Sequence, residues 1–260
     1  MKDTIFPYGA SSDIGYGREV NEDYFDLYVF DKDALFMVIA DGMGSKPSSL
    51  QPAAIAVSEI MRVVHKVYNE DSNLLYGNPE LFLRLAISAG NRVLCAFKMA
   101  NEEMYSGFGC SVTCCLLYQK THICFAHCGN TRLYLIRFVN DHQMIRQLTR
   151  DHTKGVDMLE EGVITPEQYP IHPDRLVLTT ALGMVADPSI QCFTGVVKEN
   201  DILLLSTKGI HFAIRPEPMS DIAIRSGTCE DGVKNLIEAA KSQKYVDNMT
   251  AMMAFIPPQK

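Results

Sequence analysis

A chain of 260 residues, 47% hydrophobic and 21% charged, is long enough to bury a sizeable core. Its net charge of −7 argues against the basic stripe that nucleic-acid binding requires, and no run nears the roughly 20 apolar residues that span a bilayer. The first residues contain no signal-type apolar stretch, so a cytoplasmic chain is expected.

Taken in order, Ser11 to Arg18 reads as a short extended piece broken by Gly15 and Gly17. Tyr24 to Phe30 reads as a strand, and Asp31-Lys32-Asp33 turns it back into the run Leu35-Phe36-Met37-Val38-Ile39-Ala40 as a hairpin. That unbroken apolar run suits a strand covered on both faces. It delivers Asp41 to its end, followed by Gly42, Met43 and Gly44. A carboxylate beside a free backbone carbonyl suits a hard divalent cation; the plainer alternative is an Asp-Gly turn closing a strand.

Two helices follow. The first repeats Ala53, Val57, Ile60, Val64 and Val67 at helical spacing, with Pro52 near its start. The second opens at Asn78-Pro79 and carries Leu81, Leu85, Ala89, Val93, Ala96 and Ala100 as its expected core face. The period then changes to two. Cys110 to Tyr118, His122 to Cys128, Arg132 to Phe138 and Gln143 to Leu148 read as an antiparallel meander. Cys114, Cys115 and Cys124 lie in apolar runs, and neither Cys110-x3-Cys114 nor Cys124-x3-Cys128 has zinc-ribbon spacing, so core thiols are expected.

Asp151 to Leu178, rich in glycine and proline, reads as an irregular excursion with short helices. Ser189 to Val197 and Asp201 to Ser206 return to strand, Glu230 to Ser242 is a helix, and Met249 to Ile256 is a closing strand. The order suggests an α+β fold. Without an internal repeat or long linker, a single domain over residues 1–260 is expected. His152 suits a structural loop position, and His127 a hydrogen bond at a strand edge. No glycine-rich phosphate loop points to nucleotide binding.

Seven segments, in order, resemble the metal-dependent type 2C serine/threonine protein phosphatases, their bacterial branch in particular. Gly17-Arg18-x2-Asn21-Glu22-Asp23 resembles the family's R-x-x-N-E-D segment, and Ala40-Asp41-Gly42-Met43-Gly44 its A-D-G-M-G-G loop. Cys128-Gly129-Asn130-Thr131-Arg132 stands where the family has G-D-S-R, and Leu148-Thr149-x-Asp151-His152 resembles L-T-x-D-H. Glu161-Gly162-x-Ile164-Thr165-Pro166, with His172-Pro173 and Ala181-Leu182-Gly183, resembles the flap and its exit. Asp201 to Gly209 stands where the family has D-x-L-L-L-C-S-D-G, and Asp247-Asn248-Met249-Thr250 resembles D-N-x-T.

The resemblance implies two antiparallel sheets packed as a sandwich with helices outside, and hydrolysis of phosphoserine and phosphothreonine in proteins. It implies two Mg²⁺ or Mn²⁺ ions that activate a water. By position, Asp41 and the Gly42 carbonyl match the bridging metal ligands and Asp247 the C-terminal metal carboxylate. Arg18 matches the phosphate-binding arginine, and Glu22 and Asp23 match acidic residues that act through water. The flap corresponds to residues 151–178.

Three positions depart from the pattern. Lys208 stands where the family has its second-metal aspartate, Asn130 replaces the G-D-S-R aspartate that helps hold a third metal, and Ser45 replaces a glycine. Asp41 and Asp247 supply two negative charges, and Lys208 returns one positive charge if it points inward. Such a site is expected to hold one metal or none, so that Lys208 pairs with Asp41 and Asp247; the alternative has Lys208 bent into solvent. The first reading is a monomeric pseudophosphatase that binds a phosphoprotein or a partner kinase, with the flap as one candidate docking surface. The second is an active phosphatase with an altered metal site.

Overall fold

The computed structural model describes residues 4–44, 51–100, 102–139 and 142–258. Among these, the strands are β1 (Tyr8–Asp13), β2 (Asp23–Asp31), β3 (Ala34–Met43), β4 (Gly109–Tyr118), β5 (His122–Cys128), β6 (Arg132–Val139), β7 (His142–Gln147), β8 (Gln191–Val196), β9 (Ile202–Ser206) and β10 (Met249–Phe255). They form two five-stranded sheets, in the orders β1-β10-β9-β6-β7 and β2-β3-β4-β5-β8, with every pairing antiparallel. The helices are α1 (Pro52–Glu70), α2 (Ser72–Gly77), α3 (Pro79–Ala100), α4 (Glu102–Tyr105), α5 (Lys154–Glu160), α6 (Lys208–His211), α7 (Pro216–Arg225) and α8 (Cys229–Ser242). No helix among the described residues is long and apolar enough to cross a membrane.

The alternation of side chains along β3 explains its unbroken apolar run. Leu35, Met37 and Ile39 point between the sheets, where they meet Phe125, Leu133, Leu203, Leu205 and Met252. Phe36, Val38 and Ala40 point the other way, into a core closed by α1 and α3. The other sheet is covered on its outer face by α7 and α8, through Met219, Val233, Leu236 and Ile237. The architecture is therefore helix, sheet, sheet, helix: the α+β sandwich that the resemblance implies. All six residues from Leu35 to Ala40 are fully buried.

Several local expectations need correction. Strand β1 occupies residues 8–13 and stops before Gly15, so the piece from Ser11 to Arg18 is extended only at its start. The expected meander is two hairpins in two sheets: β4 pairs with β5 in one, and β6 with β7 in the other. A period of two reports which residues share a face, and says nothing about which sheet a strand joins.

The core face of α3 is also different. Ala89 of the expected face is buried, but Leu81 and Leu85 are 42% and 40% exposed, and Phe82, Leu83, Ala86, Ile87, Gly90 and Leu94 are buried instead. The reason is the approach of α1. A Cβ on Gly90 would lie 3.1 Å from Ile60 Cγ1 and 3.3 Å from the Ala56 carbonyl, so the small residues of α3 face α1 and the leucine stripe turns outward. Helices α2, α4, α6 and α7 are not legible in the sequence as elements. Six cysteines are buried, including Cys114, Cys115 and Cys124, while Cys95 and Cys192 are half-buried. Ser45 lies outside the described residues.

Asn91, on the buried face of α3, fastens the segment that follows the flap. Its Nδ2 donates to the carbonyls of Val185 and Ala186, both at 3.0 Å, and its Oδ1 accepts from the Gly183 N–H at 2.8 Å. Asn91→Ala leaves those groups unpaired and is expected to cost about 2–3 kcal/mol in urea denaturation. A loss under about 0.5 kcal/mol would mean the segment is held elsewhere.

Candidate active site

Five chain segments bring the motif residues to one end of the sandwich. Asp41 leaves the core on β3, where it stands opposite Asp23 of β2 on one side and Ser111 of β4 on the other. Asp247 lies just before β10, Lys208 opens α6 just after β9, and Asn130 lies between β5 and β6. Arg18 is carried by the loop between β1 and β2.

That loop is held in place by Asn248. Its Nδ2 donates to the carbonyls of Ile14 and Val20 at 2.8 and 2.9 Å, and its Oδ1 accepts from the Glu22 N–H at 2.9 Å. Gly15 crosses this junction with φ of +75°, and a Cβ there would fall 1.8 Å from the Asp247 carbonyl oxygen. Only glycine fits on both counts.

At the centre lies a charge cluster. Lys208 Nζ sits 2.9 Å from Asp247 Oδ2 and 3.7 Å from Asp41 Oδ2. Arg18 Nη2 donates to the other Asp247 oxygen at 2.6 Å. Of the two orientations open to Lys208, the structure has the inward one. Burial works against the Lys208 ammonium, but the charges of Asp41 and Asp247 outweigh it and raise its pKa. Asp41 is pushed up by burial, against the opposing pull of Lys208.

Asp23 is buried. Its Oδ2 accepts from the hydroxyls of Thr207 and Thr250, each at 2.7 Å, while burial and then the neighbouring Asp41 charge hold its pKa well above the usual range. Glu22 approaches the cluster closely enough that its charge raises Asp41, and its carbonyl accepts from the Gly42 N–H at 3.1 Å.

Asp41, Gly42, Asn130 and Lys208 line one cleft of about 530 Å³. Asn130 is buried there, its Oδ1 accepting from Ser111 Oγ at 2.9 Å. The far wall holds residues that the motifs do not mark: Lys98 from α3, Phe108, and Leu176 and Leu178 from the end of the flap. Lys98 reads from the sequence as one more polar position on an amphipathic helix, and only the packing of α3 brings it to the cleft.

Two motif pairs serve the scaffold. Arg132 grips Asp151 through Nε and Nη2, with Nη2 to Oδ2 at 2.7 Å, which ties β6 to the root of the flap. His152 Nδ1 accepts from the Gly129 N–H at 3.1 Å, consistent with a structural loop role. His127 departs from expectation: it is fully buried and bonded to Thr113, Gly129 and Arg150, so it is an interior group and does not cap a strand edge.

Comparison with known proteins agrees with this geometry. The Protein phosphatase 2C family model matches residues 16–161. Protein phosphatase PhpP of Streptococcus pneumoniae is 25% identical over 242 residues, covering 93% of this chain and 94% of that protein. Serine/threonine phosphatase Stp1 from Staphylococcus aureus superposes with a TM-score of 0.85 at 26% identity, covering 99% of this chain and 98% of its own. A structure of the catalytic domain of the phosphatase PstP, in complex with 2 manganese ions, has a TM-score of 0.75 at 24% identity and covers 97% of this chain and 99% of its own. Together with the ordered motifs and the paired five-stranded sheets, the family match shows that this chain belongs to the protein phosphatase 2C family.

Proposed function

We propose that this chain is a type 2C phosphatase domain with impaired hydrolysis, which acts by binding a phosphoserine- or phosphothreonine-bearing protein or a partner kinase. One observation carries the reading: the Lys208 ammonium lies 2.9 Å from Asp247 and 3.7 Å from Asp41, inside the acidic pair that would serve as metal ligands. A dication bound by both carboxylates would share that space with a fixed positive charge. The residues as arranged do not fit two dications, and among the described residues no three His, Cys, Asp or Glu side chains are grouped to hold a metal. The Gly42 carbonyl beside Asp41 leaves room for a single ion at most.

A phosphoryl group suits the same site without metal. Arg18, 37% exposed, and Lys208 supply two cations set against the carboxylates of Asp247 and Asp41. Lys98 adds a third on the opposite wall of the cleft.

A second reading, an active Mg²⁺- or Mn²⁺-dependent phosphatase with an altered metal site, has an observation of its own. Lys208 hydrogen-bonds Asp247, stands 3.7 Å from Asp41 and has a side chain 24% exposed, so a rotation would withdraw its charge from both carboxylates and leave Asp247 held by Arg18. The phosphatase names of the relatives also favour it.

Calorimetry with Mn²⁺, followed by titration of a phosphothreonine peptide in EDTA, separates the two. The first reading expects at most one weak Mn²⁺ site and peptide binding that survives chelation. Two tight Mn²⁺ sites, or binding that requires metal, would establish the second instead.

A further inference from the structure

Beside the cleft lies a second hollow, of about 300 Å³, between the C-terminal half of α3 and the segment from Gly183 to Ala186. Its walls are Cys95, Lys98 and Met99 on the helix and Met184 and Val185 on the segment. Lys98 and Met184 also line the cleft that holds Asp41 and Lys208, so the two hollows adjoin along a shared rim. The floor is mainly apolar and open to solvent: Met99 is 89% exposed, Val185 49% and Met184 38%. Clustered apolar side chains left exposed beside a polar cleft mark an interaction surface.

This hollow is also rigidly built. The three hydrogen bonds from buried Asn91 fix the segment against α3. Lys98 Nζ donates to the Gly183 carbonyl at 3.2 Å, and the Cys95 thiol reaches the Val185 carbonyl at 3.6 Å. A hollow formed in advance does not have to be ordered when something binds. Its shared rim carries Lys98, so an occupant running from one hollow to the other passes a cation between an apolar pocket and a phosphate-suited cleft.

We infer that the hollow between α3 and residues 183–186 seats an apolar side chain flanking the phosphorylated residue of a bound protein segment. This rests on the phosphoprotein-binding reading of the cleft and adds a sequence preference to it. The phosphate is held at the Lys208 end. An adjacent leucine- or methionine-sized side chain enters the hollow against Met99, Met184 and Val185. Met99 and Val185 are then positioning residues for the ligand, remote from the charge cluster.

The test uses the full chain in EDTA with phosphothreonine peptides. One peptide has alanine at every flanking position, and each of the others places one leucine at a successive position. Methyl-labelled methionine spectra report each hollow separately, because Met43 lines the cleft and Met99 the neighbouring hollow. One leucine position is expected to tighten binding about tenfold and to shift Met99, while both that peptide and the alanine peptide shift Met43. Met99→Asp, a change at an exposed position that does not threaten folding, is expected to remove the leucine gain and leave the alanine peptide unaffected.

A leucine peptide that shifts Met99 when no peptide shifts Met43 would uphold the hollow and refute phosphate binding in the cleft. Shifts of Met43 with no leucine position preferred would overturn the hollow while leaving the cleft reading intact. Loss of both peptides equally in Met99→Asp would also overturn it. Silence at both methionines would remove both proposals.

Discussion

Replacing Lys208 and Asn130 by aspartate together is expected to raise Mn²⁺-dependent turnover of p-nitrophenyl phosphate by about a hundredfold to a thousandfold. A metal that polarises phosphate and generates the nucleophile supplies several kcal/mol of transition-state stabilisation, and each 1.36 kcal/mol is a factor of ten. Lys208→Asp removes the ammonium that now lies 2.9 Å from Asp247 and sets a third carboxylate beside Asp41 and Asp247. Asn130→Asp adds another at the cleft wall, where Ser111 Oγ can donate to it as it now donates to the amide oxygen.

The same substitution pair carries a second signature that does not depend on activity. Without metal, the added carboxylates repel one another and the doubly substituted protein should be less stable than the wild type. With Mn²⁺ it should recover, because an ion bound only by the folded state stabilises it by mass action. The melting temperature should therefore rise with Mn²⁺ far more in the variant than in the wild type. Equal turnover in the two proteins, with equal Mn²⁺ effects on melting, would refute the idea that Lys208 silences the site.

Why the sequence exposed this much and no more can be traced residue by residue. The hairpin of β2 and β3 was legible because a six-residue apolar run has few places to go except between two layers, and the structure covers both faces of it. The charge cluster was legible because its members sit in short ordered motifs, and the Lys208 substitution stood out against them. The direction of the Lys208 side chain stays open between two alternatives in the sequence, since it is decided by Asp41 and Asp247 arriving from β3 and from the approach to β10, more than 200 positions apart.

The face of α3 misled for a related reason. Its leucines form a valid helical stripe, but the partner helix selects the smaller stripe through Gly90 and Ala86, and contact with α1 is not written locally in α3. The hollow beside the cleft, and Lys98 on its rim, depend on that same placement. His127 misled because the residues that satisfy it are spread over three segments, at Thr113, Gly129 and Arg150.

That network also makes His127 a lever on acid stability, alongside buried His211, whose pKa is likewise held well below its ordinary value by burial. Nε2 lies 3.0 Å from the Gly129 carbonyl and 3.1 Å from the Arg150 carbonyl, so the hydrogen-bond network assigns the proton to Nε2. Nδ1 then accepts from Thr113 Oγ1 at 2.9 Å, which in turn accepts from Thr131 Oγ1 at 2.7 Å. A second proton, on Nδ1, requires the Thr113 hydroxyl to turn away and donate to the Thr131 carbonyl, 3.3 Å from it. Burial, reinforced by nearby His152, pushes the imidazole down to about 3. The unfolded chain takes up that proton near pH 6.5, and the folded chain does so only near pH 3. Between those values the unfolded state binds more protons, so stability falls as pH falls, by about 2–3 kcal/mol from pH 7 to 4.5. His127→Gln keeps an N–H for the two carbonyls and cannot titrate. It is expected to lower stability by about 1–3 kcal/mol at pH 7 through imperfect bonding to Thr113, and to flatten the decline below pH 6. Urea midpoints of both proteins across that range measure the difference directly, and parallel curves would show that the proton enters elsewhere. Because Gly129 adjoins Asn130 and Arg150 adjoins Asp151, the first structure lost to acid should be the cleft wall together with the root of the flap.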